Sequence, residues 1–360
     1  MMPVQLLLIL ASFLSLVSTL TNHPRCQGQD VAPAEAHLIH QFPNPTWVEN
    51  IAIRKTGQLL LTVITSPSLF LVDPTTSALN PTSSSTATLI HSFSPELSVL
   101  GIAETTPDNF YVIVGNISLS PLNPGLGTYT VFSVNLQSYN STFNTGSVIK
   151  EVTALTQASL LNGMSTLSTS QGLLLAADSV KGALWLVDTT SSTYSLLLQE
   201  PEMAPPNSPG LVLGINGVHV LPLSSNEDIV YIYFDNQGTS TFYRLLFSLS
   251  KMQKIGNVEI VKGNVTVDDF ALDVEGGVAY LAGSADNALL RVGIDGGEVE
   301  ILYGGLNETA LPGPTSVAIG RGSGGGKGGT VYVTTNGGLL APVNGNFTEG
   351  GKVVAVDVDC

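Results

Sequence analysis

The 360-residue sequence predicts an all-β protein, a six-bladed β-propeller whose ring is closed by its N-terminal strand. Three observations predict it. Val, Ile, Leu, Thr and Tyr gather in short runs broken by 37 Gly and 20 Pro, a punctuation too dense for long helices. One strand–turn–strand plan recurs six times along the chain. The last recurrence lacks an outer strand, while a strand without partners stands ahead of the first.

The six recurrences are "ENIAIRKTGQLLLTVI", "LGIAETTPDNFYVIVG", "NGMSTLSTSQGLLLAAD", "NGVHVLPLSSNEDIVYIYF", "DDFALDVEGGVAYLAG" and "PTSVAIGRGSGGGKGGTVYVTT". Ile51, Ile102, Met164, Val218, Ala271 and Val317 take equivalent apolar positions in them. A third strand follows in every unit, from "SLFLVDP" in the first to "GKVVAVDV" in the last. A fourth follows in five: "TLIHSFS", "SVIKEVTAL", "YSLLLQE", "VEIVKGN" and "VEILYGG". The sixth unit runs out at Cys360, and "AHLIHQF", residues 36–42, resembles "TLIHSFS" closely enough to supply its missing strand. "GRGSGGGKGG", from Gly320 to Gly329, lacks the GK[ST] ending and the following helix of a phosphate loop. It reads as a hairpin loop.

Composition narrows the function. With 13 Lys and Arg against 28 Asp and Glu, the net charge of −15 argues against nucleic acid and anionic membrane surfaces as partners. At 43% hydrophobic and 11% charged residues, the chain can bury a large core and is not disordered. "VQLLLILASFLSLVSTL" makes residues 1–20 a signal peptide ahead of a single propeller domain over 21–360, although the positive n-region is missing and a membrane anchor is the alternative. No other stretch is long and apolar enough to span a bilayer, so no stable membrane association is expected. Sequons at Asn116, Asn140, Asn264, Asn307 and Asn346 favour a glycoprotein of the secretory pathway, secreted or lumenal. In that oxidising setting Cys26 and Cys360 read as a disulfide joining the chain ends, against two unrelated thiols.

In a propeller the innermost strand of each blade begins near the central channel. Down that column the units offer Glu49–Asn50, Leu100–Gly101, Asn162–Gly163, Asn216–Gly217, Asp268–Asp269 and Pro314–Thr315. Four blades of six therefore bring oxygen-bearing side chains to one small volume, the candidate site. The structural alternative is that Asn-Gly marks turns and Asp-Asp caps a strand. Other catalytic arrangements fit poorly. The five histidines lack zinc-ligand spacing, cysteine clusters are absent, and there is no G-x-S-x-G elbow. His219, after the "NG" of the fourth unit, either reaches the channel or packs between blades.

The repeats resemble the SMP-30/gluconolactonase/LRE-like six-bladed propellers over nearly the whole mature chain. That resemblance implies a divalent cation, Ca²⁺ or Mg²⁺, held by Glu49, Asn162, Asn216 and Asp269, with Asp268 as an alternative to the last. It also implies lactone hydrolysis. The motifs depart from that family: Trp47 precedes the glutamate, "VEN" replaces "EGP", and no arginine stands near them to grip a sugar acid. "PTWVENIA", Pro45 to Ala52, is similar to the first blade of a fungal, secreted branch. Some members of that branch are similar to hetero-Diels–Alderases of tropolone–sesquiterpenoid biosynthesis.

Three functions follow as expectations. The first is a pericyclase without cofactor that joins a quinone-methide-type heterodiene to an apolar alkene such as a humulene-type sesquiterpene. For it, Glu49, Asn50, Asn216 and Asp269 are the catalytic candidates. Trp47, Asn162, His219, Phe234 and Phe270 are the substrate-binding candidates, with blade core as the alternative for the three aromatic carbons rings of Trp47, Phe234 and Phe270. The second is the cation-dependent lactonase. The third is a non-catalytic propeller that binds a ligand.

Overall fold

Six four-stranded antiparallel sheets follow one another along the chain. The computed structural model describes residues 34–358 apart from 76–85, 121, 211, 224–225 and 322–328. The leader assigned to residues 1–20 and the Cys26–Cys360 pairing lie outside the described residues. Blades 1 to 5 run outward from inner strands Val48–Ile53, Ser98–Thr106, Leu161–Ser168, Ile215–Leu223 and Val267–Asp273. Blade 6 runs from Pro314–Ile319 through Thr330–Thr335 and Lys352–Asp357 to Ala36–Gln41, the N-terminal strand. That strand pairs antiparallel with Lys352–Asp357 from Ala36 opposite Val356 to Gln41 opposite Lys352. The orphan strand thus closes the ring, as its likeness to the other outer strands predicts.

The core lies in the seams between sheets. Leu60, Leu71, Ile102, Val112 and Val114 fill the seam of blades 1 and 2. Ala282, Leu289, Val317 and Val333 fill that of blades 5 and 6. Middle strands are covered on both faces, which is why "LLLTV" and "LLLAAD" read as unbroken apolar runs. Outer strands are covered on one face and alternate. The fourth strand of blade 4 begins at Gln253, ahead of the "VEIVKGN" segment, because Lys254 and Ile255 already pair with Phe247 and Leu246. The helical element whose bounds are described is one 3₁₀ turn, Pro201–Met203, and among the described residues no helix is long and apolar enough to cross a membrane.

Candidate functional site

Every inner strand carries the same irregularity. Its pairing with the second strand slips between Val48 and Asn50 in blade 1, Val99 and Ile102 in blade 2, and Leu161 and Met164 in blade 3. In blades 4, 5 and 6 the slip falls between Ile215 and Val218, Val267 and Phe270, and Pro314 and Ser316. Such bulges bend a strand and re-aim the extra residue. They coincide with the column of Glu49–Asn50, Asn162–Gly163, Asn216–Gly217 and Asp268–Asp269. The Asn-Gly pairs are therefore interior to strands, and the turn alternative does not hold.

The glycines explain how the inner strands crowd together. A Cβ on Gly101 would lie 2.3 Å from the Asn162 carbonyl oxygen, and one on Gly163 would lie 2.5 Å from that of Asn216. One on Gly217 would lie 2.5 Å from Asp269 Oδ1 and 2.8 Å from Asp235 Oδ1. Real Cβ atoms do not come so near, so blades 2, 3 and 4 meet their neighbours here through glycine alone.

Inside this ring Asp269 gathers the blades. Its Oδ2 accepts from Asn50 Nδ2 at 2.8 Å and from Ser316 Oγ at 3.2 Å. Its Oδ1 accepts from its neighbour's backbone, Phe270 N, at 2.8 Å and lies 3.0 Å from His219 Nε2. Asn216 Nδ2 donates to Asp268 Oδ1 at 2.6 Å, and the Trp47 indole N–H donates to Glu49 Oε2 at 2.5 Å. Asp235, on the second strand of blade 4, accepts from Gly217 N at 2.7 Å through Oδ1, while its buried Oδ2 has no partner. Glu49, Asn50, Asn162, Asn216, Asp235, Asp268, Asp269 and Ser316 are all buried.

Four carboxyl groups in one water-poor volume cannot all ionise cheaply. Burial raises Glu49 to about 7 against the Trp47 hydrogen bond, and the Asp269 charge adds to the rise. Burial, then Glu49 and Asp269, push Asp268 well above the carboxylate range. Burial, then Asp268 and Asp269, do the same to Asp235. Among the described residues no lysine or arginine pairs with any of the four. The ring thus gathers carboxyl groups that hold their protons more tightly than usual and in the acid form donate hydrogen bonds, or it accommodates a cation.

Several sequence expectations are placed by these contacts. Asn50 and His219 meet on Asp269, whose charge also acts on Glu49, and Asn216 holds Asp268; Asn162 is buried at the bulge of the blade 3 inner strand. Trp47 is buried and serves Glu49 directly. Phe234 and Phe270 do not wall the channel: both are fully buried in blade seams, Phe234 stacked on Tyr243 at 5.2 Å and Phe270 edge-on to Phe242 at 4.7 Å. They alternate with the axial residues along their strands and so face the sheet interior. Half-buried Leu119, Val180, Leu213 and Leu339 in connecting segments pack on the apolar cluster that holds Trp47, Leu100, Leu160 and Met164. Asp235 and Ser316 are the residues that the inner-strand column passes over. Asp235 could have been found as a lone acid ending the apolar run "IVYIYFD". Of the sequons, Asn140, Asn264, Asn307 and Asn346 are exposed, and Asn116 is half-buried with its side chain bound to Leu97 N.

Fold and ring together define a six-bladed β-propeller with a polar site where its inner strands meet. Two solved propellers have this fold. The luciferin-regenerating enzyme superposes with a TM-score of 0.58 at 13% identity over 90% of this chain and 95% of its own. The calcium-binding protein regucalcin of Agrobacterium tumefaciens superposes with a TM-score of 0.58 at 13% identity over 91% and 95%. In sequence the chain is similar to two proteins that carry hetero-Diels-Alderase as a provisional name. One, from Phoma sp, is 24% identical over 314 residues, 82% of this chain and 85% of that protein. The other, asR5 of Sarocladium schorii, is 25% identical over 335 residues, 82% of this chain and 77% of that protein. No protein-family model matches the chain.

Proposed function

We propose that the protein is a pericyclase working without a cofactor, catalysing a hetero-Diels–Alder cycloaddition in secondary-metabolite biosynthesis. Its reactants on this reading are a quinone-methide-type heterodiene and an apolar alkene such as a humulene-type sesquiterpene. The observation that carries the reading is the raised carboxyl of Glu49 at the axis, held by Trp47. The names of the two relatives agree with it.

The chemistry needs little from the protein. One C–C and one C–O bond form as two π bonds are consumed, no atom is lost, and no electron leaves. Holding the partners face to face can supply roughly 7–11 kcal/mol of a bimolecular barrier at best. Glu49 in its acid form keeps Oε2 on the Trp47 N–H and offers the Oε1 proton to the heterodiene oxygen. That bond draws electron density from the heterodiene and strengthens as the oxygen gains charge. Asn50 and Ser316 fix Asp269, and Asn216 fixes Asp268, so the donors are preorganised. The apolar cluster that holds Trp47, beside Glu49, disfavours water, which would otherwise add to a quinone methide.

A second reading, a cation-dependent lactonase, is favoured by the unpartnered Asp235 Oδ2 and by the absence of a basic partner for the acids among the described residues. The donor set suits a hard cation such as Ca²⁺ or Mg²⁺. Within it Asp268 fits better than Asp269, whose two oxygens already accept three hydrogen bonds and touch His219 Nε2. A bound cation would supply Lewis acidity toward a lactone carbonyl. One experiment separates the readings: a quinone methide is generated beside humulene, with and without protein and chelator. The pericyclase gives faster adduct formation with a stereochemical bias that chelator leaves unchanged. Chelator-sensitive turnover of a lactone panel, without adduct bias, selects the lactonase. Neither activity leaves a ligand-binding propeller.

A further inference from the structure

The channel does not end at the acid ring. Two to six residues further along the inner strands, about 7–20 Å at the rise of a β-strand, it opens into a cavity of about 340 Å³. The cavity is lined by four blades: Ile51 of blade 1, His219 to Pro222 of blade 4, Ala271, Leu272 and Val274 after Asp269 in blade 5, and Val317 to Ile319 of blade 6. The size is in the range of small-molecule sites. The side chains are aliphatic apart from one. His219 stands against the Phe270 ring at 4.8 Å and reaches Asp269 with Nε2, so the cavity touches the acid ring through a single imidazole. At the same end of the channel Arg321, just past the blade 6 inner strand, pairs with Glu104 of blade 2, keeping its charge on that partner.

We propose that this cavity is a second binding site, for a neutral, largely apolar small molecule bearing one hydroxyl group. An aliphatic wall rewards apolar area, roughly 25 cal/mol per Å² removed from water, and offers nothing to a charged ligand in a protein of net charge −15. The one polar contact has a defined place. His219 lies on Asp269 with Nε2, which leaves its other ring nitrogen, Nδ1, to meet a ligand hydroxyl. The site stands whether or not the axial ring performs a cycloaddition, because binding here is read without turnover.

The test uses the full-length protein and two fluorescent probes of matched shape, 2-naphthol and naphthalene. The expected result is one saturable site for both, with 2-naphthol the tighter. Ala318→Trp, which fills the cavity, lowers both affinities at least tenfold. His219→Phe lowers 2-naphthol binding about tenfold and leaves naphthalene within twofold. Val274→Arg at the exposed rim is the check if Ala318→Trp does not fold, and it too lowers both affinities. Phe143→Asp, at an exposed position outside both the cavity and the ring, leaves both unchanged. Binding that survives Ala318→Trp or Val274→Arg in a folded variant, or that is lost in Phe143→Asp, overturns the assignment of the cavity. Equal loss of both probes in His219→Phe overturns the hydroxyl requirement.

Discussion

Glu49 ties the stability of the fold to pH through one proton. Its carboxyl titrates near 7 in the folded protein and at about 4.5 in the unfolded chain. Between those values the folded state binds the proton more tightly, so its stability is full below about pH 4.5 and falls as pH rises towards 7. The loss from this group is about 3 kcal/mol, and the slope it contributes vanishes above 7. Glu49→Gln keeps the shape and removes the proton, so urea unfolding at pH 5 and pH 8 should show the wild type losing about 3 kcal/mol more than the variant. An equal loss in both would place the titration elsewhere. Asp235 and Asp268 shift in the same direction and contribute in both proteins. At this scale the sequence was legible where the repeat register fixed position, as for Asn162, Asn216 and Asp269. It was silent on Asp235 and Ser316, whose place depends on contacts between blades that no single repeat encodes.

A strand that begins with Asn-Gly is locally ambiguous, since the pair suits a turn and a bulge equally. What decides is the neighbouring inner strand, which comes so close at Gly163 that a Cβ would press on the Asn216 carbonyl. Gly163→Ala should therefore cost about 1–3 kcal/mol by overpacking, because a backbone oxygen cannot rotate away. Gly217→Ala meets a side chain, Asp269 Oδ1, and should disturb the ring more than the fold. Denaturant midpoints of the two variants beside the wild type measure this ordering, and a larger loss for Gly217→Ala would reverse it. Phe234 and Phe270 teach the same lesson from the other side. An aromatic next to an axial acid looks like a channel wall until strand alternation is followed through the bulge into the seam.

The whole ring was readable because its closure leaves a mark at both ends of the chain, a strand missing after Asp357 and a strand unpaired before Val48. Ile39 of the closing strand is buried against blades 6 and 1. Ile39→Ala should cost about 2–5 kcal/mol and lower the melting temperature, whereas Leu38→Ala, at the exposed neighbouring position, should change it little. Equal effects would mean that the closing strand is not packed as described. Ring closure in turn brings six bulges together, and on the proposed function the acid form of Glu49 there promotes the cycloaddition. The most direct measurement is the pH dependence of adduct formation by the wild type and Glu49→Gln, using a quinone methide and humulene. The wild-type rate should fall towards tenfold per unit as pH rises above 7, while Glu49→Gln should be slower at pH 6 and flat across the range. A flat wild-type profile, or the same fall in both proteins, would contradict it.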